Sequence, residues 1–171
     1  MVKICFSQID VEPSHPDLNV ERMLQAIDEA KQNNTDIIIF PEMCIPGYLL
    51  GDTWEQTAFL KDCLSYGEDI IAASQDICII FGNIAVDRYK KNTDGLVRKY
   101  NSLYTVYNGK LIKPEKSPYP FVIKTLFPNY REFDDSRYFF SLQSLATELK
   151  LNLNDILSPV KVNIKGQELN L

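Results

Sequence analysis

The first 40 residues carry a strand, an amphipathic helix and a second, apolar strand in that order. We predict the first strand over 2–9 and the helix over 17–33, capped by Asp17, with Val20, Met23 and Ile27 recurring at helical spacing. The second strand, over 36–40, is a continuous apolar run of the kind buried on both faces. Because strand, helix and strand in succession form a βαβ unit, we predict a layered α/β fold.

Further elements predict a mixed sheet. We expect a helical region interrupted near Gly67, and a strand that turns at Gly82-Asn83 into another short strand. These elements are predicted over 53–74, 77–81, 84–86 and 100–107. Turn signals at 92–95 and at Asn108-Gly109 indicate hairpins, and hairpin strands pair in antiparallel fashion.

The last third of the chain is irregular and then regular again. Residues 113–140 contain four prolines, and so long an irregular stretch in a compact domain is usually functional or disordered. Its many aromatic residues argue against disorder. A short helix is predicted over 142–149, and a hairpin over 159–171 that leaves its second strand unfinished.

Charge and cysteine usage exclude several classes of function. A net charge of −5 and a pI of about 4.9 argue against nucleic-acid and anionic-membrane partners, which require a basic footprint. Four cysteines without a CxxC pair, and a single histidine, argue against a zinc site, so we expect no metal. The amino-terminal apolar run is too short to target or span a membrane. Free thiols in a reducing cytosol, and hence a cytoplasmic protein, are the simpler interpretation.

Two charged residues are candidates for catalysis. Glu42 directly follows the apolar strand and Pro41, at the kind of strand end where catalytic groups of α/β proteins lie. Its apolar neighbours would partly desolvate it and favour a general base; the alternative is a loop glutamate paired with a lysine or arginine. Lys124 lies in a short apolar run and could stabilise an oxyanion. Its alternative is an edge-strand lysine that faces water.

The remaining reactive residues have simpler interpretations. Cys44 lies two residues after Glu42, and a base and a nucleophile so close on one loop rarely face each other. Cys63 is predicted to pack on a helix face, and His15 to be a solvated loop residue. The segment 129–139 mixes acids, arginines and aromatics, and its alternative role is a surface loop held by ion pairs.

Three segments in order resemble the carbon–nitrogen hydrolase (nitrilase) superfamily. They begin with the opening strand, helix and Asp36-Ile37-Ile38-Ile39-Phe40-Pro41-Glu42. The residues over 45–54 and 124–139 narrow the resemblance to the amino-terminal glutaminase domains of glutamine-dependent NAD synthetases. The resemblance implies a four-layer αββα sandwich with mixed sheets, incomplete at its carboxyl end, in which 1–171 is the amino-terminal part of the hydrolase domain and the synthetase domain is absent.

The resemblance also implies a Glu-Lys-Cys triad. By matching position, Glu42 is the general base, Lys124 the cation beside the oxyanion, and Tyr130 a glutamine-pocket residue. Asp135 stands where relatives commonly carry a glutamate, so whether its shorter side chain reaches Lys124 is left open. No cysteine of this chain matches the family's nucleophile, which is expected a few residues beyond Leu171 in a cysteine-glutamate-aspartate motif.

The function implied is hydrolysis of the glutamine amide, supplying ammonia for ATP-dependent synthesis of NAD from deamido-NAD. This domain needs no cofactor of its own, whereas ATP and Mg²⁺ serve the full synthetase; no glycine-rich phosphate loop occurs in this chain. The implied partners are glutamine, the synthetase domain and further copies in a homo-oligomer. Two alternatives stay open: another amidase, nitrilase or carbamoylase of the superfamily, and a non-catalytic chain that only binds a partner.

Overall fold

A computed structural model describes residues 1–128 and 130–171. Its strands are β1 Ile4–Phe6, β2 Ile37–Ile39, β3 Cys78–Lys91, β4 Val97–Tyr107, β5 Lys110–Leu111, β6 Val122–Ile123, β7 Lys161–Ile164 and β8 Gln167–Asn170. Its α-helices are α1 Pro16–Gln32, α2 Thr57–Ala72, α3 Asp135–Tyr138, α4 Leu142–Leu149 and α5 Leu153–Ile156, and a 3-10 helix covers Gly51–Glu55. Within the described residues, no helix has the length and apolar character needed to cross a bilayer.

Six strands form one mixed sheet in the order β1-β2-β3-β4-β5, with β6 paired to β4. The β1–β2 and β2–β3 pairs are parallel, as a βαβ unit requires, and the pairs made by β4 are antiparallel. The predicted mixed sheet is therefore confirmed. The hairpins predicted at 92–95 and at Asn108-Gly109 join β3 to β4 and β4 to β5.

Helices and a second sheet cover opposite faces of this sheet. On one face, Met23 and Ile27 of α1 and Cys63 of α2 share a buried core with Ile38 and Ile79. On the other, Ile37, Cys78 and Ile80 pack against the two-stranded sheet of β7 and β8 through Val162 and Ile164. The layered α/β fold is thus confirmed, and the described residues form three successive layers of helix, sheet and sheet.

Helices α4 and α5 cover a different part of the β3–β4 pair. Leu142 and Leu145 of α4 and Ile156 of α5 pack against Ala85 and Tyr100 in a separate cluster. The predicted helix over 142–149 is confirmed at its exact bounds, and the predicted final hairpin is the β7–β8 pair.

Two helix predictions need correction. Asp17 does not cap α1: the cap position is His15, Pro16 opens the helix, and Asp17 lies in the first turn, where its charge complements the helix dipole. Gly67 does not interrupt α2, which runs without a break from Thr57 to Ala72. The absence of a side chain at Gly67 matters for packing instead. A Cβ at Gly67 would lie 3.1 Å from Nδ2 of Asn83, so glycine lets helix and sheet approach closely.

The predicted turn at Gly82-Asn83 is also wrong, because β3 runs unbroken from Cys78 to Lys91. Gly82 is required by a crossing of the backbone. A Cβ there would lie 2.2 Å from the amide nitrogen of Met43 and 2.9 Å from Cα of Glu42. Glycine therefore allows the loop after β2 to lie directly on β3, and this contact fixes the position of Glu42.

Gly82→Ala should destabilise the fold by about 1–3 kcal/mol, the usual cost of an overpacked site. Gly166→Ala is the control: it has no atom within 4 Å, so it tests only the cost of its φ of +77°. Urea unfolding measures the stability of both variants, and amide NMR spectra locate the change. Shifts centred on 42–45 are expected for Gly82→Ala alone; their absence would contradict the steric role of Gly82.

Candidate active site

The loop that carries Glu42 is held in place from two sides. The amide of Ile45 donates to the carbonyl of Gly82 at 3.4 Å, and Nδ2 of the fully buried Asn19 donates to the Ile45 carbonyl at 2.9 Å. Two residues before Ile45, Met43 adopts a φ of 49°, in the left-handed region that non-glycine residues rarely occupy. Such backbone strain, which costs about 1–3 kcal/mol, persists only where the surrounding structure enforces it and is common at functional sites.

Glu42 and Lys124 meet directly. Nζ of Lys124 lies 2.8 Å from Oε1 of Glu42, although 82 residues separate them along the chain. Lys124 follows β6 and its amide donates to the carbonyl of Asn101 on β4 at 2.9 Å. The β4–β6 pairing thus aims the lysine at the loop beside β3, and the alternative of a water-facing lysine is wrong, since its side chain is only 24% exposed.

Lys124 also reaches a second carboxylate. Its Nζ lies 3.2 Å from Oδ2 of Asp135 and 3.1 Å from the hydroxyl of Tyr48, which itself donates to Asp135 at 2.5 Å. The question left open by the sequence is answered: the shorter side chain of Asp135 makes this hydrogen bond. Asp135 begins α3, and its buried position brings the carboxylate within range.

This environment favours the ammonium form of Lys124. Burial opposes the charge, but the hydrogen bonds to Glu42 and Tyr48 outweigh burial and raise the pKa of Lys124 above its ordinary value. The nearby charges of Glu42 and Asp135 act in the same direction. Burial, and then the hydrogen bond to Asp135, raise the pKa of Tyr48 as well, so Tyr48 stays a neutral phenol. The group can therefore present a fixed positive charge.

The carboxylate of Glu42 is more open than expected. Its side chain is 52% exposed, so its surroundings leave about half of it open to solvent. The reason is that Met43 and Ile45, which were expected to cover it, turn their side chains into the core and are fully buried. The ion pair with a lysine, which was the alternative interpretation of Glu42, is present. Whether this pair can act on a substrate depends on the space around it.

That space is a cleft of about 390 Å³ along β4 and β6. Its polar lining includes Glu42, Asn101 and Lys124, and its apolar wall includes Leu103 and Ile123. A carboxylate and an ammonium that line the same cleft can transfer a proton and stabilise a developing oxyanion on one substrate group.

None of the four cysteines has the properties of an activated nucleophile. Burial raises the pKa of Cys44 to about 12, and its Sγ donates to the carbonyl of Gly82 at 3.3 Å. Burial likewise raises the pKa of Cys63 and of Cys78 to about 12. Cys5, on the edge strand β1, lies outside the group formed by Glu42 and Lys124. His15 is exposed, and across 1–128 and 130–171 no cluster of three metal-binding side chains occurs.

Tyr130 lies at the margin of this group. Its side chain is 59% exposed, and its ring packs against Phe133, with centroids 5.3 Å apart. Phe133 in turn packs against Tyr48 at 5.9 Å. Position 129, which the sequence placed in the same segment, lies outside the described residues. Tyr130 is therefore linked to the pair through two aromatic contacts.

The structure adds functional candidates that the sequence did not single out. Asn101 donates from Nδ2 to Oε1 of Glu42 at 2.6 Å, and Tyr48 joins Lys124 to Asp135. An amide side chain in the middle of a buried strand is a signal that could have been noticed for Asn101, because buried polar groups require partners. Tyr48 had no such signal.

Replacing Glu42 with glutamine should lower the pKa of Lys124 towards its ordinary value of 10.5, because the main group that favours its charge is neutralised. The titration of the lysine Cε resonance by NMR measures this, with Glu115→Gln, the partner of the distant Lys161, as control. An unchanged midpoint would contradict the pairing. Since the folded-state pKa is raised, the stabilisation by Lys124 is present below about pH 10.5 and is lost as the pH rises through the folded-state value.

Comparison with known proteins identifies a family that matches most of the chain. The model of the carbon-nitrogen hydrolase family matches residues 4–119. The chain is 28% identical over 139 residues to the glutamine-dependent NAD(+) synthetase of Aquifex aeolicus (strain VF5), covering 81% of this chain and 22% of that protein.

Two solved structures have a similar fold. The crystal structure of a glutamine-dependent NAD(+) synthetase from Cytophaga hutchinsonii matches with a TM-score of 0.67 and 26% identity, over 82% of this chain and 22% of that one. An amidase from Nesterenkonia sp. AN1, described with the acetamide moiety of fluoroacetamide added covalently at its active site cysteine, matches with a TM-score of 0.61 and 12% identity, over 82% of this chain and 48% of that one. The chain spans 22% of the length of each of these two synthetases. It belongs to the carbon-nitrogen hydrolase family.

Proposed function

We propose that the chain forms the base-and-lysine half of a glutaminase site that supplies ammonia for NAD synthesis. The observation that carries the proposal is the 2.8 Å contact between Glu42 and Lys124, both of which line the cleft along β4 and β6. Membership of a family of carbon–nitrogen hydrolases supports the reaction class. The glutamine-dependent NAD synthetases among its relatives support glutamine as the substrate.

Glu42 acts as the general base. It takes the proton of a cysteine thiol, and the thiolate attacks the side-chain amide carbon of glutamine. The electron pair of the carbonyl moves to oxygen, and the ammonium of Lys124 stabilises that oxyanion as a fixed charge. Glu42 returns the proton to the leaving nitrogen, ammonia departs, and water hydrolyses the glutamyl thioester with Glu42 again as base. Tyr130 contacts the substrate from the margin of the site.

The nucleophile comes from outside these 171 residues. Cys44, Cys63 and Cys78 are buried with raised pKa values, and a buried thiol of this kind is inert. The Nesterenkonia amidase, which shares the fold, has an active site cysteine, and by analogy we expect a cysteine thiol next to Glu42 and Lys124. A short cysteine-glutamate-aspartate segment in the rest of the parent protein would complete the triad.

The parent protein supplies the other partners. We propose that ATP and Mg²⁺ serve its synthetase domain, as the glutamine-dependent NAD synthetases among the relatives suggest. The ammonia amidates deamido-NAD there, and the protein acts as a cytoplasmic homo-oligomer. The four free cysteines support a reducing compartment.

An amidase acting on another small amide is the second candidate, and the fold shared with the Nesterenkonia amidase favours it. Assays of the protein translated from the whole reading frame, with glutamine, acetamide and butyramide as substrates, separate the two. A kcat/KM for glutamine well above that for the simple amides supports the glutaminase. The reverse order would replace it by the amidase.

The reading frame beyond Leu171 tests the third candidate, a chain that only binds a partner. A downstream cysteine-glutamate-aspartate motif supports a hydrolase. A stop codon directly after Leu171 would overturn the proposed hydrolysis and favour the partner-binding role.

The 171-residue chain by itself should release no glutamate from glutamine above the level of its Glu42→Ala variant, because the covalent route requires a reactive thiol. Loss of one member of a catalytic triad removes most of the rate, often about a million-fold. A coupled glutamate dehydrogenase assay measures the release. Glutamate formed by the chain but not by the variant would show that one of its own cysteines reacts.

In the protein translated from the whole reading frame, Glu42→Gln should lower the glutaminase kcat by about 10²- to 10⁴-fold, the usual contribution of a general base. Lys124→Met should lower it by about 10²- to 10³-fold, the usual effect of removing one oxyanion donor. Lys161→Met, which removes a surface lysine paired with Glu115, is the control and should leave kcat unchanged. Near-normal rates in both site variants would contradict the assigned roles.

A further inference from the structure

Asn101 is a buried amide that contacts both halves of the Glu42–Lys124 pair. Its side-chain Nδ2 donates to Oε1 of Glu42 at 2.6 Å, and its main-chain carbonyl accepts from the amide of Lys124 at 2.9 Å. The residue is 3% exposed and pairs with Ile84 in the antiparallel β3–β4 ladder. Asn101 therefore has little freedom to move, and it transmits the position of the sheet to both charged groups.

The donors that reach Glu42 converge on one oxygen. Nδ2 of Asn101 and Nζ of Lys124 both bind Oε1, and across 1–128 and 130–171 no hydrogen bond is made to Oε2. An oxygen that already accepts two short hydrogen bonds, one of them from an ammonium, has lost much of its capacity to take a further proton. The two oxygens of this carboxylate are thus chemically different.

We propose that Asn101 is a positioning residue that holds Oε1 of Glu42 and leaves Oε2 as the oxygen that takes the nucleophile's proton. This inference rests on the proposed function. It goes beyond that function by assigning the oxygen that reacts and the residue that selects it. Lys124 alone cannot make this selection, because its flexible side chain is shared with Tyr48 and Asp135.

The proton transfer balances around Oε2. The S–H bond breaks, its proton forms an O–H bond to Oε2, and its electron pair forms the bond between sulfur and the amide carbon. When the C–N bond breaks, the proton passes from Oε2 to the departing nitrogen. The hydrogen bond from Asn101 to Oε1 is retained throughout, so the carboxylate need not rotate between the two transfers.

The hydrogen bond itself can be tested in the 171-residue chain without altering Asn101. In side-chain amide NMR spectra, one Nδ2 proton of Asn101 should be shifted downfield by its hydrogen bond to Oε1 of Glu42, and its resonance should move as the pH is lowered. In Glu42→Gln this response to pH should disappear, whereas in Glu55→Gln, which removes the carboxylate paired with Lys99, it should persist. An Asn101 resonance that does not respond to pH in the unaltered chain would overturn the proposal.

Variants in the protein translated from the whole reading frame test the consequence for proton transfer. Asn101→Leu keeps the approximate volume and removes the donor, and it should lower kcat/KM for glutamine about tenfold, the scale of one hydrogen bond to a charged group. Its pH–rate profile should differ from that of the unaltered protein, a change that a purely structural role of Asn101 would not produce. Asn101→Asp keeps the shape but replaces the donor with an acceptor, and it should lower kcat/KM further.

The order of the variants distinguishes positioning from packing. If Asn101 only filled space, the isosteric aspartate would be the milder change and neither pH profile would move; that outcome would overturn the proposal. Thr105→Val, a buried isosteric change on the same strand, is the control and should leave the profile in place. If the unaltered protein does not hydrolyse glutamine, the proposed function fails, while the NMR titration still decides whether Asn101 holds Glu42.

Discussion

The arrangement of charged groups in the site depends on the ammonium of Lys124. It lies between the carboxylates of Glu42 and Asp135, within 2.8 Å and 3.2 Å, and it contacts the hydroxyl of Tyr48. These groups come from the loop after β2, the segment after β6 and the start of α3. Because two negative charges would otherwise repel each other across a small space, the lysine makes their approach favourable. Without this cation the two carboxylates would repel each other where the three segments meet.

Packing brings those segments within reach of one another. Gly82 lets the loop after β2 lie on β3, and Asn19 donates a hydrogen bond to the Ile45 carbonyl of that loop. The β4–β6 pairing fixes the position of Lys124, which follows β6. Each contact is a backbone or buried amide contact, and none of them is charged. The electrostatics of the site therefore rest on a neutral scaffold that holds its geometry whether or not the charged groups change their protonation.

The sequence predicted what depends on local pattern. Periodicity gave α1, and the predicted short helix over 142–149 matches α4. Asn108-Gly109 gave a hairpin, while resemblance gave Glu42 and Lys124 as site residues whose catalytic roles stay a prediction. The errors at Gly67 and Gly82 share one cause. Glycine permits a turn, but it also permits close approach of another segment, and a sequence does not show which segment approaches. Asn101 was missed because its partner is 59 residues away.

The contact between Glu42 and Lys124 joins residues 82 positions apart, and that between Tyr48 and Asp135 joins residues 87 apart. Contacts of such long range close large loops. We expect them to form late in folding, because the chain loses the entropy of loop closure before the contact contributes any stabilisation. Conversely, the contact between Glu42 and Lys124 breaks as soon as the segment after β6 detaches, because Lys124 belongs to that segment. The contact between Glu42 and Lys124 therefore depends on complete folding: a molecule in which the segment after β6 is detached would keep the rest of its sheet but lose this contact.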